Sequence, residues 1–204
     1  MVNSWKAPFD DKFVTGDFGK VRTFKGAPSN PHRGTDWAPK GGTIIPAIAD
    51  GTVKLIQWSD ILGWVLVQSA AWNGKTYYIG YCHLYCAKHG VNCPGPKKAG
   101  DHSPFTSTKV GDKKKQGEPV GRVGTSGSAS SGPHLHATLS TALKGVFSGT
   151  VLDLRAFIKG TAEKVTESKP AAQKSPAPTK KVVAAPKETT KVIYACPHCK
   201  KELK

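Results

Sequence analysis

Short apolar runs divided by glycine-containing turns dominate residues 1–159, and this pattern restricts what the chain can fold into. A helix needs apolar residues every three or four positions, and the region shows almost no such period. Asn-Gly or Asp-Gly between two strand-like runs is a strong local signal of a β-hairpin. The sequence therefore predicts an all-β fold, a compact antiparallel β-sheet domain. The two predicted hairpins are 64–68 with 75–81, around Asn73-Gly74, and 43–49 with 52–58, around Asp50-Gly51.

Glycine and serine residues between short apolar segments predict three more strands, and a Ser/Gly loop that leads into the last of them. Asp153 is predicted to cap a short helix over 154–158, which ends the domain. Residues 87–109 are rich in Lys, Gly, Pro and Ser and are predicted to form a long loop. The three strands are 13–19, 120–124 and 134–139, and the Ser/Gly loop runs from Thr125 to Gly132.

The chain is strongly basic. Its 204 residues include 30 Lys and Arg against 14 Asp and Glu, which gives a formal net charge of +16. Such a charge indicates an anionic partner or anionic surroundings, and a nucleic-acid-associated protein is one alternative. No helix-turn-helix, zinc finger or Arg-rich aromatic platform is present, however. Because Lys outnumbers Arg, the charge suits diffuse attraction to a polyanionic matrix, and we expect no specific nucleic acid partner.

The composition changes after the predicted helix. Residues 160–191 are rich in Lys, Ala, Pro, Thr and Glu and contain no aromatic residue, so they cannot bury enough apolar surface to fold. We therefore expect a domain at 1–159, a disordered basic linker at 160–191 and a tail at 192–204. The Cys-x-x-Cys of the tail, Cys196 and Cys199, could be half of a zinc ribbon, a zinc site shared between chains, a redox-sensitive pair or an inert feature.

No run approaches the ~20 apolar residues of a membrane span. The first residues also lack the apolar centre of a secretion signal, so we expect synthesis in the host cytoplasm without a signal peptide. Any extracellular substrate would then be reached by another route. Cys82, Cys86 and Cys93 cluster around His83. A disulfide among these three is one option, which the missing signal weakens.

Two histidine motifs indicate a metal centre. His32 and Asp36 are four residues apart, and His134 and His136 are two apart. In an extended chain both spacings place the side chains on one face. A helix would also suit the spacing of four, but Pro31 and its glycine and proline neighbours argue against one. Hydrolytic zinc sites have three protein ligands and one position for water, whereas structural sites usually have four. The motifs predict such a three-ligand zinc site on extended segments that line one groove.

Six motifs of the sequence resemble those of the lysostaphin/LytM-type zinc endopeptidases, and they occur in the order and approximate spacing of that family. The resemblance covers nearly all of residues 10–159 and does not extend to 160–204. The fold it implies is a compact antiparallel sheet whose groove, walled by loops, accepts an extended peptide. The motifs are Thr15-Gly16-Asp17-Phe18-Gly19, His32-Arg33-Gly34-Thr35-Asp36-Trp37-Ala38, Ala47-Ile48-Ala49-Asp50-Gly51-Thr52-Val53, Tyr81-Cys82-His83-Leu84, the run from Gln116 to Gly127, and Gly132-Pro133-His134-Leu135-His136.

The resemblance also implies roles for five residues. His32, Asp36 and His136 would hold one Zn²⁺ with water as its fourth ligand, and His83 and His134 would be the catalytic pair. The substrate would be a peptide bond in the stem or cross-bridge of bacterial peptidoglycan. An inactive wall-binding or activator module of the same fold is the alternative, although all five expected positions are filled here.

Four further expectations follow from the sequence and the resemblance. Some members of the family have a tyrosine upstream of the first zinc histidine, and Arg22 to Asn30 contains none, so that role is empty or filled differently. His89 and His102 are expected to be surface residues. A lytic peptidase without a signal peptide resembles a bacteriophage endolysin, with a separately exported bacteriocin as the second choice. Its basic tail would bind anionic wall polymers.

Overall fold

Strands account for most of the regular structure in the residues that the computed structural model describes, 4–21, 23–24, 27–28, 30–95 and 108–162. Helical structure there is limited to two 3-10 turns, Asp11–Phe13 and Leu143–Val146, and one helix, α1 (Leu154–Ile158). No helix in these ranges has the length and apolar character needed to cross a membrane. The prediction of an all-β fold is confirmed. The strands are β1 (Val14–Gly16), β2 (Thr23–Phe24), β3 (Ala27–Pro28), β4 (Thr35–Trp37), β5 (Ile44–Pro46), β6 (Gly51–Ser59), β7 (Gly63–Trp72), β8 (Lys75–Cys82), β9 (Lys113–Lys114), β10 (Pro119–Arg122) and β11 (Leu135–Ser140).

The main sheet has seven strands in the order β1-β4-β11-β8-β7-β6-β9, and all its neighbours are antiparallel. Two small two-stranded sheets, β10-β5 and β2-β3, accompany it. β11, the last strand among the described residues, lies inside the sheet between β4 and β8. This position brings the two histidine motifs, which are distant in sequence, into neighbouring strands.

The predicted hairpin around Asn73-Gly74 is confirmed as β7 and β8. Trp72 pairs with Lys75 at its end, and the turn residues Asn73 and Gly74 have φ values of 45° and 75°. Positive φ at both central residues defines the type I′ turn, whose twist matches that of the two strands. Asn and Gly adopt this conformation at the lowest cost, which explains why the dipeptide predicts the turn correctly.

The hairpin predicted around Asp50-Gly51 is wrong. β5 pairs with β10, and β6 forms its hairpin with β7. Asp50 instead holds a distant loop, since its carboxylate accepts hydrogen bonds from Gln116 N (2.8 Å) and Lys115 Nζ (2.9 Å). Gly51 is needed for close packing, because a Cβ there would lie 3.0 Å from the carbonyl carbon of Ser69.

Both faces of the main sheet are buried. Val65 and Val67 contact a small cluster on one face, and Leu66 between them contacts the larger core on the other. Successive strand residues point to opposite faces, so β7 contributes to both cores. The larger core also contains a buried hydrogen bond from the Tyr81 hydroxyl to Gln68 Oε1 (2.9 Å). Burial of each fully enclosed aliphatic side chain contributes about 2 kcal/mol to stability.

The predicted helix over 154–158 and its cap are confirmed. The Asp153 side chain accepts hydrogen bonds from the backbone N–H groups of Arg155 (2.9 Å) and Ala156 (3.3 Å). Two N–H groups that have no partner within the helix are satisfied in this way. The predicted linker and tail lie outside the described residues from 163 onward, and the domain boundaries stay a prediction.

Candidate metal and catalytic site

Two paired strands place a carboxylate beside an imidazole. Asp36 of β4 lies directly opposite His136 of β11, and Cys82 of β8 lies opposite His136 on its other side. Cross-strand neighbours have Cβ atoms about 5 Å apart, which allows their side chains to meet. His83, the residue after Cys82, therefore leaves the sheet next to the same point.

His32 joins this pair from the segment before β4. Its backbone carbonyl accepts a hydrogen bond from Gly19 N (2.7 Å), and its N–H donates to the carbonyl of Lys20 (3.0 Å). Its Nδ1 donates to the carbonyl oxygen of Asp17 at 2.9 Å. Because this contact uses the Nδ1 proton, a neutral His32 presents the Nε2 lone pair to Asp36.

Three potential ligand atoms form a nearly equilateral triangle. His32 Nε2 lies 3.1 Å from Asp36 Oδ1, His136 Nδ1 lies 2.9 Å from the same oxygen, and the two nitrogens are 3.0 Å apart. A tetrahedral zinc ion with bonds of about 2.0–2.2 Å needs ligand atoms about 3.3–3.5 Å apart. The triangle is close to that size and would open by a few tenths of an ångström around an ion.

The chemistry of the triangle favours a cation at its centre. The Asp36 carboxylate oxygen and His32 Nε2 lie 3.1 Å apart, an approach that needs either a proton or a metal ion between them, because both atoms are otherwise acceptors. Burial opposes ionisation of Asp36, but hydrogen bonds from His136 and His32 outweigh it and hold the carboxyl pKa well below its usual value. The group could therefore hold a metal ion with two nitrogen donors and one oxygen donor.

Gly34 allows the two strands to approach at this point. A Cβ there would lie 2.7 Å from His136 Cε1 and 2.8 Å from His136 Nε2, and it would overlap the carbonyl oxygen of Ala137. Any side chain would displace the imidazole from the triangle. Glycine in the His32–Asp36 motif is thus required by the packing of its neighbour.

His83 and His134 stand beside the triangle as a contacting pair. Their ring centroids are 4.6 Å apart, and His134 Nε2 lies 4.0 Å from Asp36 Oδ1. Each has its Nδ1 bound to a backbone carbonyl, His83 to Ser126 O (2.7 Å) and His134 to Gly132 O (2.8 Å). Both Nδ1 atoms must carry the proton, so both Nε2 atoms are free to accept one.

The backbone of His83 has a left-handed conformation, with φ of 59°. Its N–H donates to the carbonyl of Leu62 at 2.8 Å, and its side chain is buried. Burial, and then the neighbouring His134, lower the pKa of His83 to about 3. His83 is therefore neutral at physiological pH and able to act as a base.

Ser126 supports His83 in a way that the sequence does not suggest. Its hydroxyl, which is fully buried, donates to the carbonyl of Leu84 (2.8 Å) and accepts from Trp64 N (3.0 Å). The same residue supplies the carbonyl oxygen that binds His83 Nδ1. Ser126 thus connects the start of β7, the segment after β8 and the Ser/Gly loop around one imidazole. Asp17 and Gly132 contribute their backbone carbonyls to His32 and His134 in the same manner.

The structure brings together all five residues singled out in the sequence, with His32, Asp36 and His136 as the triangle and His83 and His134 beside it. His89 is exposed, as expected, and His102 lies outside the described residues. So do Arg22, Lys25, Gly26 and Ser29, which belong to the segment where the family tyrosine is missing.

The cysteine alternatives are resolved for the three that the structure describes. Cys86 forms a disulfide with Cys93, and Cys82 is a buried thiol whose pKa is raised by burial. Cys196 and Cys199 lie in the part of the chain that is not described.

A solved relative decides the family. The catalytic domain of the prophage-encoded M23 protein EnpA from Enterococcus faecalis is 32% identical, with a TM-score of 0.51, and the match covers 73% of this chain and 94% of that domain. The chain belongs to the LytM/M23 family of peptidases. The resemblance drawn from the sequence motifs is confirmed. A comparison with models of protein families gives no match.

Two other relatives of this M23 peptidase differ more. The catalytic domain of lysostaphin, an antimicrobial peptidase from Staphylococcus simulans, is 23% identical with a TM-score of 0.52, over 72% of this chain and 91% of that domain, and it shows the shared fold alone. Peptidoglycan DD-endopeptidase ShyC from Vibrio cholerae is 28% identical over 132 residues, which are 64% of this chain and 25% of ShyC. The present chain thus spans about a quarter of the length of ShyC.

Proposed function

We propose that this M23 peptidase is a zinc-dependent endopeptidase that hydrolyses peptide bonds in the stem or cross-bridge of bacterial peptidoglycan. The observation that carries the proposal is the triangle of His32, Asp36 and His136, with two histidines that can accept a proton beside it. The name of ShyC, a peptidoglycan DD-endopeptidase, supports the substrate class.

In this proposal His32, Asp36 and His136 hold the zinc. Their two imidazole nitrogens and one carboxylate oxygen suit this borderline-soft ion, and fewer than four protein ligands is typical of catalytic sites. When bound, zinc acts as a Lewis acid on water and on the scissile carbonyl. The Asp17 carbonyl keeps the His32 ring oriented, since it fixes which nitrogen carries the proton.

His83 and His134 move the proton. One of them accepts it on Nε2 from the water that attacks the scissile carbonyl, and delivers it to the leaving amine. The other, when protonated on Nε2, donates a hydrogen bond to the developing oxyanion. A neutral imidazole can accept the proton and an imidazolium can donate one, and the Ser126 and Gly132 carbonyls, by holding both Nδ1–H groups, leave both Nε2 atoms for these tasks.

We also propose that the protein lyses cell walls as a bacteriophage endolysin, with its basic tail bound to anionic wall polymers. The prophage origin of EnpA supports the first part. The charge of the chain supports the second, since a net +16 favours polyanionic surroundings.

Alanine variants separate the two groups of residues. His83→Ala or His134→Ala should lower cleavage at least about 100-fold with zinc still bound, because general acid–base catalysis contributes about 10²–10⁴-fold. His32→Ala, Asp36→Ala or His136→Ala should lose the metal. Zinc is measured by elemental analysis, and cleavage by mass spectrometry of fragments from purified peptidoglycan of several bacteria.

His89→Ala is the matched control, since it removes an exposed histidine. It should keep both zinc and turnover. Retention of more than a few per cent of turnover by His83→Ala or His134→Ala would reject their catalytic role. Binding of peptidoglycan without any cleavage by the zinc-loaded wild type would indicate a non-catalytic wall-binding module instead.

A further inference from the structure

A second concave site lies at the end of the main sheet opposite to the triangle. A cavity of about 500 Å³ opens there between β6, β7, β8 and β9. Thr76, at the start of β8, contributes to its wall, whereas His83 follows the end of the same strand. Seven residues of strand separate them, or about 23 Å at 3.3 Å per residue. The cavity is therefore remote from the candidate catalytic residues.

The cavity carries unmatched positive charge. Lys113 and Lys114 line it, and neither forms an ion pair with any residue that the structure describes. Of the two carboxylates at its edge, Asp50 is paired with Lys115 Nζ (2.9 Å), and Glu118 accepts from the backbone N–H of Lys115 (2.9 Å). Three lysines against two carboxylates leave the lining with a net positive charge of one, which attracts an anion.

The wall of the cavity is held in place by the body of the protein. Gln116 Nε2 donates to the carbonyls of Ser4 (2.7 Å) and Ile48 (2.9 Å), and Gly51 pairs with Lys114 across β6 and β9. A ligand would therefore meet a preformed surface and lose little affinity to ordering it.

The lining selects the class of anion. Besides the lysines it offers the hydroxyl groups of Thr52 and Thr76, which can donate to an oxygen-rich ligand, whereas the Ser69 hydroxyl already donates to the carbonyl of Thr52 (3.2 Å). A phosphate group accepts from ammonium and hydroxyl donors of this kind. No aromatic side chain lines the cavity, so a nucleic acid would find no surface on which to stack a base.

We propose that this cavity binds the phosphodiester groups of a polyol-phosphate polymer of the bacterial wall and so tethers the enzyme close to its substrate. The wall as the setting rests on the proposed function, but the binding is separable from catalysis. The cavity is also distinct from the basic tail, because its residues belong to the folded domain.

The test uses the full ¹⁵N-labelled chain titrated with poly(glycerol phosphate), followed by NMR. We expect saturable shifts of the backbone amides of Thr52, Ser69, Lys113 and Lys114. Lys113→Gln/Lys114→Gln should weaken this binding about tenfold, since it removes two charge-assisted contacts. Lys88→Gln/Lys144→Gln, an equal change of charge at exposed positions outside the cavity, should stay within about twofold of wild type.

Equal weakening in the two double variants would overturn the proposal, because it would reduce the effect to net charge. Shifts confined to residues outside the cavity would do the same. If inorganic phosphate binds as tightly per phosphate group as the polymer does, the cavity is a site for free anions. If an oligonucleotide of equal charge binds more tightly than the polymer, the proposed polymer is the wrong ligand. Cleavage of a soluble peptide should be unchanged in Lys113→Gln/Lys114→Gln, and its absence in the wild type would count against the proposed function alone.

Discussion

At the scale of single residues, Gly34 has no room for a side chain beside the triangle. The space that a side chain would need there is filled by the His136 ring and the backbone of β11. Protein interiors relax little around such an overlap, so the ring or the strand would have to move. Gly132, two residues before His134, differs sharply, since a Cβ added there would have no atom within 4 Å.

Gly34→Ala should therefore weaken zinc binding about 10- to 100-fold, as displacement of a supporting contact does in metal sites. Cleavage should fall by at least as much, because a ligand moved by about 1 Å costs about 100-fold in rate. Gly132→Ala is the matched control, and its zinc affinity should equal that of the wild type. Competition with a chromophoric chelator measures both, and equal affinities in the two variants would show that the overlap relaxes freely.

The side chains of the candidate site could be predicted from the sequence, whereas their supports could not. His32, Asp36 and His136 stand in motifs whose spacing places them on shared faces. The Nδ1 atoms of three histidines are fixed instead by the backbone carbonyls of Asp17, Ser126 and Gly132. Every residue has a carbonyl, so nothing in the sequence marks these three before the fold is known.

At the scale of elements, the disulfide loop (residues 86–93) supports the Ser/Gly loop. The carbonyl of Val91 accepts from Thr125 N (2.8 Å), and Asn92 Oδ1 lies 3.3 Å from Thr125 Oγ1. The next residue, Ser126, binds His83. A covalent closure between Cys86 and Cys93 is therefore connected through two loops to a candidate proton acceptor.

Reduction of this disulfide with a phosphine should lower turnover about tenfold, because the Ser126 carbonyl would lose part of its support. Zinc content should not change, since Asp36 and His136 lie on paired strands. Cys86→Ser/Cys93→Ser should start at the lower rate and respond no further to the reductant. Unchanged turnover in the reduced wild type would show that the Ser/Gly loop holds its position alone.

At this scale, a hairpin that depends on the backbone preference of its own turn residues was predictable from the sequence. Strand pairings that depend on contacts between residues far apart in the sequence were not. Asn73-Gly74 closes a turn by its own backbone preference. Asp50-Gly51 has a similar composition, but its carboxylate binds Lys115 and Gln116, about 65 residues away. The pairing of β5 with β10 depends on such contacts, and a window of a few residues contains no information about them.

At the scale of the whole molecule, buried histidines couple global stability to pH. The pKa of His83 is about 3 in the folded protein, against about 6.5 in an unfolded chain. The unfolded state therefore binds more protons below about pH 6.5. The contribution of His83 to stability is complete above that pH and is lost as the pH falls towards 3.

Metal-free wild type should lose about 2 kcal/mol more unfolding free energy between pH 7 and pH 5 than His83→Asn does. Asparagine tolerates the left-handed backbone at this position and keeps a donor for Ser126, so the variant should fold. Urea unfolding followed by tryptophan fluorescence, with a chelator present, provides the comparison. An equal loss in both proteins would mean that His83 titrates normally in the folded state.

Strand pairing and loop contacts of the fold itself bring His32, Asp36 and His136 into the triangle. A zinc ion bound there, as proposed, would add to the stability of the folded state by mass action, because the unfolded chain lacks the assembled site. Under the proposed function, metal-starved surroundings would therefore leave the molecule both inactive and shorter-lived. Ion supply would then govern how long the protein persists as well as whether it cuts.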